Sequence, residues 1–377
     1  MKAIIFSPSI KNIITFFIFL VTWTNLYIII NILLIFRMCD MFATKPKKKK
    51  RSELKREKQE VKLRELNKFR FVPLKKKSYK WLIIPFVLVA LIAICAVMIG
   101  VSNAKINVDK VTVTHEQLPS AFDGYTILQI SDIHGHTFGE SNSKLINTIN
   151  SLDFDMILLT GDMLSQPDDE DDIWATVDLI EAISRENVPV YYILGESDYS
   201  PADSGKLTED WNMCINPAEK TPYMLAIEEA GAQFVYPITE IRRGEDVIFL
   251  TGLKYYETLF DEYNFDTDKH FTICVTHKPI TYDVNRRLQD INKNTYNEVD
   301  YDLSISGHTH GGTVRLPILG ALYVKGHGVL PSEKYAQGLH VSQGRYNYIC
   351  QGLGTGDGFP IRINCSPTVS LLILDCP

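Results

Sequence analysis

The chain has 377 residues, enough for one large domain with appendages or two modest domains. Its 39 basic and 45 acidic residues sum to a mild −6, but the sum hides two opposite parts. Lys45–Lys80 carries 17 Lys and Arg against four Glu, whereas the chain from Trp81 onward carries 19 basic against 40 acidic residues. An acidic body of this kind argues against a nucleic-acid-binding surface. The seven cysteines are odd in number and lack CxxC spacing, which argues against a zinc knuckle or a dense disulfide framework. One bridge among Cys350, Cys365 and Cys376 is open, but unpaired thiols are the expectation.

In chain order, the first feature is an uncharged apolar run, Ile13 to Phe36, long enough to span a bilayer. A cleaved signal peptide fits it less well, because the run is longer than an h-region and no small-residue cleavage site follows. Met38 and Met41 follow the run, so translation from there would omit it. Residues 1–40 are thus read as a first transmembrane segment or as sequence upstream of a start at Met41. Residues 41–80 form a basic segment in which Glu53 to Lys68 could make a short charged helix. Trp81–Val101 is a second uncharged run of 21 residues, and at 1.5 Å per residue it covers a hydrocarbon core of about 30 Å. The basic flank stays on the cytoplasmic side by the positive-inside rule, so the chain from 102 to 377 is expected outside the cytoplasm, at the cell membrane. Contact of the basic block with anionic headgroups is compatible with this.

From about Lys105 short apolar runs each precede a polar cluster. Thr126–Ile130 precedes SDIHGH, Asp155–Leu159 precedes TGDM, and Val190–Leu194 precedes GESD. Val247–Leu250 precedes TGLK, Phe271–Val275 precedes THKP, and Leu303–Ile305 precedes SGHTHGG. Helical stretches are predicted over Asn142–Ser151 and Ile173–Arg185. Strands alternating with helices define an α/β class. Polar clusters at strand C-terminal ends are where such sheets gather ligand sites. The acidic run Asp168–Asp172 is read as a solvated loop, and Pro201–Pro222 as a loop able to shape an entrance.

The clusters supply metal-ligand chemistry. Asp132 with His134, and His308 with His310, are two apart at strand ends, and in an extended segment such side chains point the same way. Asp162 and His277 add a carboxylate and an imidazole. Mixed imidazole and carboxylate ligation suits Mn, Fe or Zn. Two such ions about 3.5–4 Å apart can clamp a phosphoryl group and acidify a water.

The ordered set DIH, GD, GESD, THKP and GHTHGG resembles the calcineurin-like metallophosphoesterases from roughly Tyr125 to the C-terminus. The tail GLGTGDGFPIRINCSP is similar to that of the membrane-associated bacterial branch. The resemblance implies a four-layer α/β/β/α sandwich, preceded here by one or two transmembrane helices. It implies two divalent metal ions, with Asp132, His134 and His310 on one, Asp162 bridging, and His277 and His308 on the other. The family's GNHD or GNHE motif stands here as GESD. Glu196 thus takes the place of an asparagine ligand, and Ser197 that of a histidine which assists the leaving oxygen. Ser197 cannot act as an acid near neutral pH, and general acid help is worth about 10²–10⁴ in rate. His136 is a candidate substitute. Arg315 and His327 lie where they could touch substrate phosphate, though a structural place would account for either.

The implied activity is hydrolysis of phosphate esters of lipids, cell-envelope polymers or nucleotides by a metal-activated hydroxide, on the extracytoplasmic side. The alternative is a metal-binding regulatory or binding module with catalysis weakened by GESD. A third possibility is a non-enzymatic membrane protein whose histidines are structural.

Overall fold

The computed structural model describes residues 58, 60–62, 80–167, 169–199, 220–236, 238–252, 254–255, 266, 268–280, 297–298, 301–342, 344–356 and 361–377. The first apolar run, most of the basic block, Met38, Met41, and most of Pro201–Pro222 lie outside the described residues. The second run forms helix α1, Lys80–Asn103, which reads WLIIPFVLVALIAICAVMIGV at its centre. It carries Pro85 as its sixth residue, just past the first turn, at the cost of one intrahelical N–H bond. By length and composition it can cross a membrane, and Ile84, Phe86, Val89, Val97 and Val101 are exposed along it.

The residues after α1 build two six-stranded sheets. The first holds β1 (Asn107–Thr114), β2 (Thr126–Ile130), β3 (Met156–Leu159), β4 (Val190–Tyr192), β5 (Ala232–Phe234) and a C-terminal strand, β12 (Thr368–Asp375). Their order is β1-β12-β2-β3-β4-β5, with only the β12–β2 pairing antiparallel. The second holds β6 (Ile238–Arg243), β7 (Asp246–Thr251), β8 (Thr272–Val275), β9 (Leu303–Ser306), β10 (Gly338–Ser342) and β11 (Arg345–Ile349). Their order is β10-β11-β9-β8-β7-β6, parallel in the centre and antiparallel at both edges.

Both central strand sets read as continuous apolar runs because both faces are covered. One face of the first sheet packs Leu128, Ile130, Ile157, Leu159 and Tyr192 on helices α2 (Ser143–Asn150), α3 (Glu170–Ile183) and α4 (Pro222–Glu229). The alternate residues Ile127, Met156, Leu158 and Tyr191 meet Ile248, Leu250, Ile273, Val275, Leu303 and Ile305 of the second sheet. The layers are therefore helices, sheet and sheet, as a sandwich of this class requires. On the far face of the second sheet a small cluster joins Cys274, Ile280 and Tyr301, and a helix covering that face is not among the described residues.

All six predicted strands are present, as are both predicted helices, with ends shifted by a few residues. One reading changes. Asp169 to Asp172 starts α3 instead of lying in a loop: Asp169 caps the Asp172 N–H at 3.2 Å, and three acidic residues sit in the positive first turn. Asp168 lies outside the described residues. The strands β1 and β10 to β12 and helix α4 carried no polar cluster to mark them. The five described cysteines, Cys95, Cys274, Cys350, Cys365 and Cys376, are all free.

Tyr348 on β11 ties the sheets together. Its hydroxyl donates to Asp109 Oδ2 at 2.7 Å and lies 2.8 Å from Ser370 Oγ, both on the first sheet. Tyr348→Phe leaves both buried partners short of a bond and should cost about 1–3 kcal/mol, read as a lower urea midpoint.

Candidate metal centre

The clusters after β2, β3 and β4 in one sheet and after β8 and β9 in the other meet along one rim. Asp132, Asp162 and His277 are buried, while His134, His308 and His310 are half-buried and face a cavity. Two groups of donor atoms form, each within 4.8 Å of one another: Asp132, His134 and His310, and Asp162, His277 and His308. One oxygen links them. Asp162 Oδ2 lies 3.4 Å from His134 Nε2 and 3.0 Å from His277 Nε2.

The convergence has a different cause from strand alternation. Asp132, His134, Asp162, His308 and His310 all have φ between 48° and 71°, the left-handed region. Each such residue costs on the order of 1 kcal/mol. The turns are held against that cost by backbone bonds between loops. Asp132 N–H donates to Gly161 O at 3.0 Å, His134 N–H to Asp162 O at 3.0 Å, and Leu353 N–H to Ser131 O at 3.1 Å. Close approach requires glycine at two places. A Cβ on Gly195 would fall 2.2 Å from Asp162 Oδ1, and one on Gly356 would fall 2.9 Å from His310 Nε2.

The side chains are oriented from behind. His277 Nδ1 must donate to Thr160 O at 2.9 Å and His310 Nδ1 to Gly354 O at 3.1 Å, since a carbonyl only accepts. Their Nε2 atoms are thereby turned to the site, where neutral His310 offers a lone pair and His277 offers one once its second proton leaves. His308 N–H donates to both oxygens of Asp132, at 2.9 and 3.1 Å. Burial lowers the pKa of His308 to about 3 and of His310 to about 4, so both are neutral, the ligating form. Burial works against charge on Asp162 and His277 as well, but their mutual attraction wins. It holds the Asp162 carboxyl well below its usual range and lifts His277 to about 10.

These residues form two groups whose donor atoms suit divalent cations. His134 Nε2 is buried with no hydrogen-bond partner. An orphaned imidazole nitrogen beside two carboxylates, with neutral histidines around it, is a donor set waiting for a cation.

The GESD segment is arranged differently from a simple ligand. Glu196 Oε1 pairs with Lys278 Nζ, and Oε2 lies 3.1 Å from Lys325 Nζ. Half-burial opposes its charge, but Lys278 and then Lys325 outweigh it and keep the carboxyl below the usual range. Glu196 lines the cavity beside His308 without joining either donor group. Ser197 also lines it. Its N–H donates to Asp162 Oδ1 at 2.8 Å, and its hydroxyl faces Leu164 O at 2.7 Å and Asp162 Oδ1 at 3.1 Å. His136 is exposed, with Nδ1 on His134 O at 3.3 Å and Nε2 on Thr355 Oγ1 at 3.3 Å. Arg315 is committed to Gly311 O at 3.0 Å and to Glu333, and His327 stacks on Tyr335 at 4.2 Å. Neither lines the cavity.

Sequence reasoning missed two supporting residues. Asp198 is fully buried and accepts from the N–H groups of Asp162, Met163, Leu164 and Gly195 at 2.8–3.0 Å. Arg362 is fully buried and donates to the carbonyls of Gly354, Gln351 and His310 at 3.0, 2.8 and 3.3 Å. Asp198 stood in the GESD motif and Arg362 in the tail, but no spacing pattern marks a residue whose partners are mostly backbone atoms.

A layered α/β sandwich with two groups of metal-capable donors at the rim between its sheets is the arrangement expected of the metallophosphoesterase class. The family model described as calcineurin-like phosphoesterase matches residues 125–312. Residues 125–312 thus form a domain of this family, whose members bind divalent metals and hydrolyse phosphoesters. The chain is similar to the uncharacterized metallophosphoesterase YkuE of Bacillus subtilis, 26% identical over 267 residues, covering 70% of this chain and 83% of the relative. It is also similar to a transmembrane protein with metallophosphoesterase domain from Danio rerio, 24% identical over 306 residues, covering 79% of this chain. The chain spans 63% of that relative's length. The phosphodiesterase YaeI of Escherichia coli matches over 82 residues at 33% identity, 22% of this chain and 28% of the relative.

Asp198→Asn keeps the shape but replaces one carboxylate oxygen with an NH2, so two of the four N–H groups lose their acceptor and meet a donor instead. It should destabilise the protein by roughly 1–3 kcal/mol. It should also lower the divalent metal retained after gel filtration, measured by elemental analysis, although Asp198 touches no donor atom.

Proposed function

We propose that the chain is a membrane-anchored, metal-dependent phosphoesterase whose domain lies on the extracytoplasmic side. One observation carries the reading: Asp162 Oδ2 stands between His134 of one donor group and His277 of the other. In this reading Asp132, His134 and His310 hold one divalent ion, His277 and His308 hold the second, and Asp162 serves both. Two such ions, Mn, Fe or Zn, supply Lewis-acid polarisation of phosphoryl oxygens and a lowered pKa for water. Glu196 stands beside the second group, and Lys278 and Lys325 balance the charge it brings in place of an asparagine.

The chain's own residues do the positioning. Lys325 on the cavity wall gives a cation for the non-bridging oxygens of a phosphate ester. Ser197 holds Asp162 in register, and His136 braces Thr355, which lines the cavity. Anchoring rests on α1, and the side of the membrane rests on the basic block that precedes it. The substrate is a phosphate ester and not a nucleic acid, given the acidic body.

The full-length protein in detergent with Mn²⁺ should turn over an aryl phosphodiester, and Asp162→Asn should abolish turnover and bound metal together. Equal rates for parent and variant with every divalent metal tried would sink the assignment.

A second reading, a metal-binding module with weakened catalysis, is favoured by the Ser197 hydroxyl, which is already engaged with Leu164 O and Asp162. The double change Glu196→Asn with Ser197→His distinguishes the two. A rise of about 10²-fold or more supports the weakened module. A loss of existing turnover supports an enzyme specialised around GESD.

A further inference from the structure

The end of α1 is gripped by the same backbone that carries the site. Ser102 is buried and its hydroxyl accepts from Asn364 N–H at 2.7 Å, while Asn103 Nδ2 donates to Arg362 O at 2.9 Å. Only residues 104–106 separate α1 from β1. Arg362 then sends its guanidinium to His310 O. One arginine thus joins the helix end to the loop of a metal-ligating histidine.

The stretch around Ile363 also pairs with the segment 313–315. Ile363 N–H donates to Thr313 O and Arg315 N–H to Ile363 O, both at 2.9 Å. Arg315–Leu316 opens a hairpin against Gly320–Ala321, and a second hairpin follows, Tyr323–Val324 against Gly328–Val329. These hairpins hold Ile318, Leu319, Tyr323, Val329 and Leu330 out into solvent, and Ile318 is fully exposed. Single exposed apolar residues are ordinary, but five on consecutive hairpins are a surface in need of a partner. Ile318 also has φ of 71°, an outlier for a β-branched residue, so the backbone is strained while presenting that side chain to water.

The position of this surface says what covers it. Ile318 lies three residues beyond Arg315, at most about 10 Å of chain. Arg315 in turn is bonded to the residue between those that hold the helix end. The headgroup layer of one leaflet is roughly 5–8 Å thick. With α1 across a bilayer, the hairpin tips reach the headgroup and acyl boundary. Tyr323 and Lys325 suit that depth, since an aromatic or a snorkelling lysine bridges apolar and polar layers. The same two side chains, with Gly312 and Thr313, line the cavity that holds His134, His308 and His310.

We propose that hairpins 315–330 seat on the bilayer crossed by α1, and that the substrate is a lipid of that leaflet offering a phosphate ester in its headgroup. The seating rests on α1 crossing the membrane, and the substrate class rests in addition on the phosphoesterase reading above.

Full-length protein is reconstituted in vesicles of phosphatidylcholine with phosphatidic acid and phosphatidylglycerol, a phosphomonoester and a phosphodiester lipid. In Ile318→Trp, brominated acyl chains should quench the added fluorescence beyond the quenching seen in the parent; no added quenching overturns the seating. In the double variant Ile318→Asp with Leu319→Asp, turnover of an aryl phosphoester in detergent should equal that of the parent. Its cleavage of vesicle lipid should fall by about tenfold or more, because two carboxylates oppose entry at the apolar contact. Equal lipid cleavage by variant and parent overturns the proposal. A parent that cleaves the aryl ester but neither lipid overturns the substrate class and leaves the phosphoesterase standing. A parent that cleaves neither fails as a phosphoesterase, and the quenching still decides the seating.

Discussion

A carboxylate that faces an imidazole on each of two sides sets the terms for the whole rim. Asp162 Oδ2 meets His134 and His277, and its Oδ1 is taken by the Ser197 N–H. Moving Asp162 by an ångström would break one of these approaches. The protein therefore fixes the residue from its backbone outward. Asp198, buried below, accepts from the N–H of Asp162 and from three neighbouring N–H groups. The loop after β3 and the loop after β4 are thus locked to one carboxylate, and the two-sheet core holds the strands from which both loops emerge.

The left-handed backbone at five of the six donor residues is the cost of this geometry. Such conformations persist where surrounding bonds over-determine them. Here the bonds run between loops: Asp132 to Gly161, His134 to Asp162, and Leu353 to Ser131. Glycines fill the points where backbone must pass within contact distance of a donor atom, as at Gly195 and Gly356. Rigidity of this kind is what a metal-binding site needs, because donor atoms displaced by about half an ångström no longer converge on one ion.

Much of this was legible in the chain. The apolar runs announced their strands because a sheet covered on both faces demands continuous hydrophobicity. The polar cluster after each run announced the rim. Asp132, His134, Asp162, His277, His308 and His310 come together as two donor groups, and the membrane-length helix stands where its composition put it. The edge strand β10 and its neighbour β11 were less legible, since both carry mixed polar and apolar patterns. Asp198 and Arg362 were not legible as supports, because both are satisfied mainly by backbone atoms, which leave no side-chain pattern in the sequence.

Sequence alone determined the residue types at the site, their order, the apolar helix and the charge asymmetry around it, since these follow from composition and spacing. Tertiary structure decided the rest. It joined Asp162 to both donor groups and set Glu196 between Lys278 and Lys325. It also linked the end of α1 to His310 through Arg362. Each of these depends on residues 28 or more positions apart being brought together, and only the packing of the two sheets fixes which of them meet.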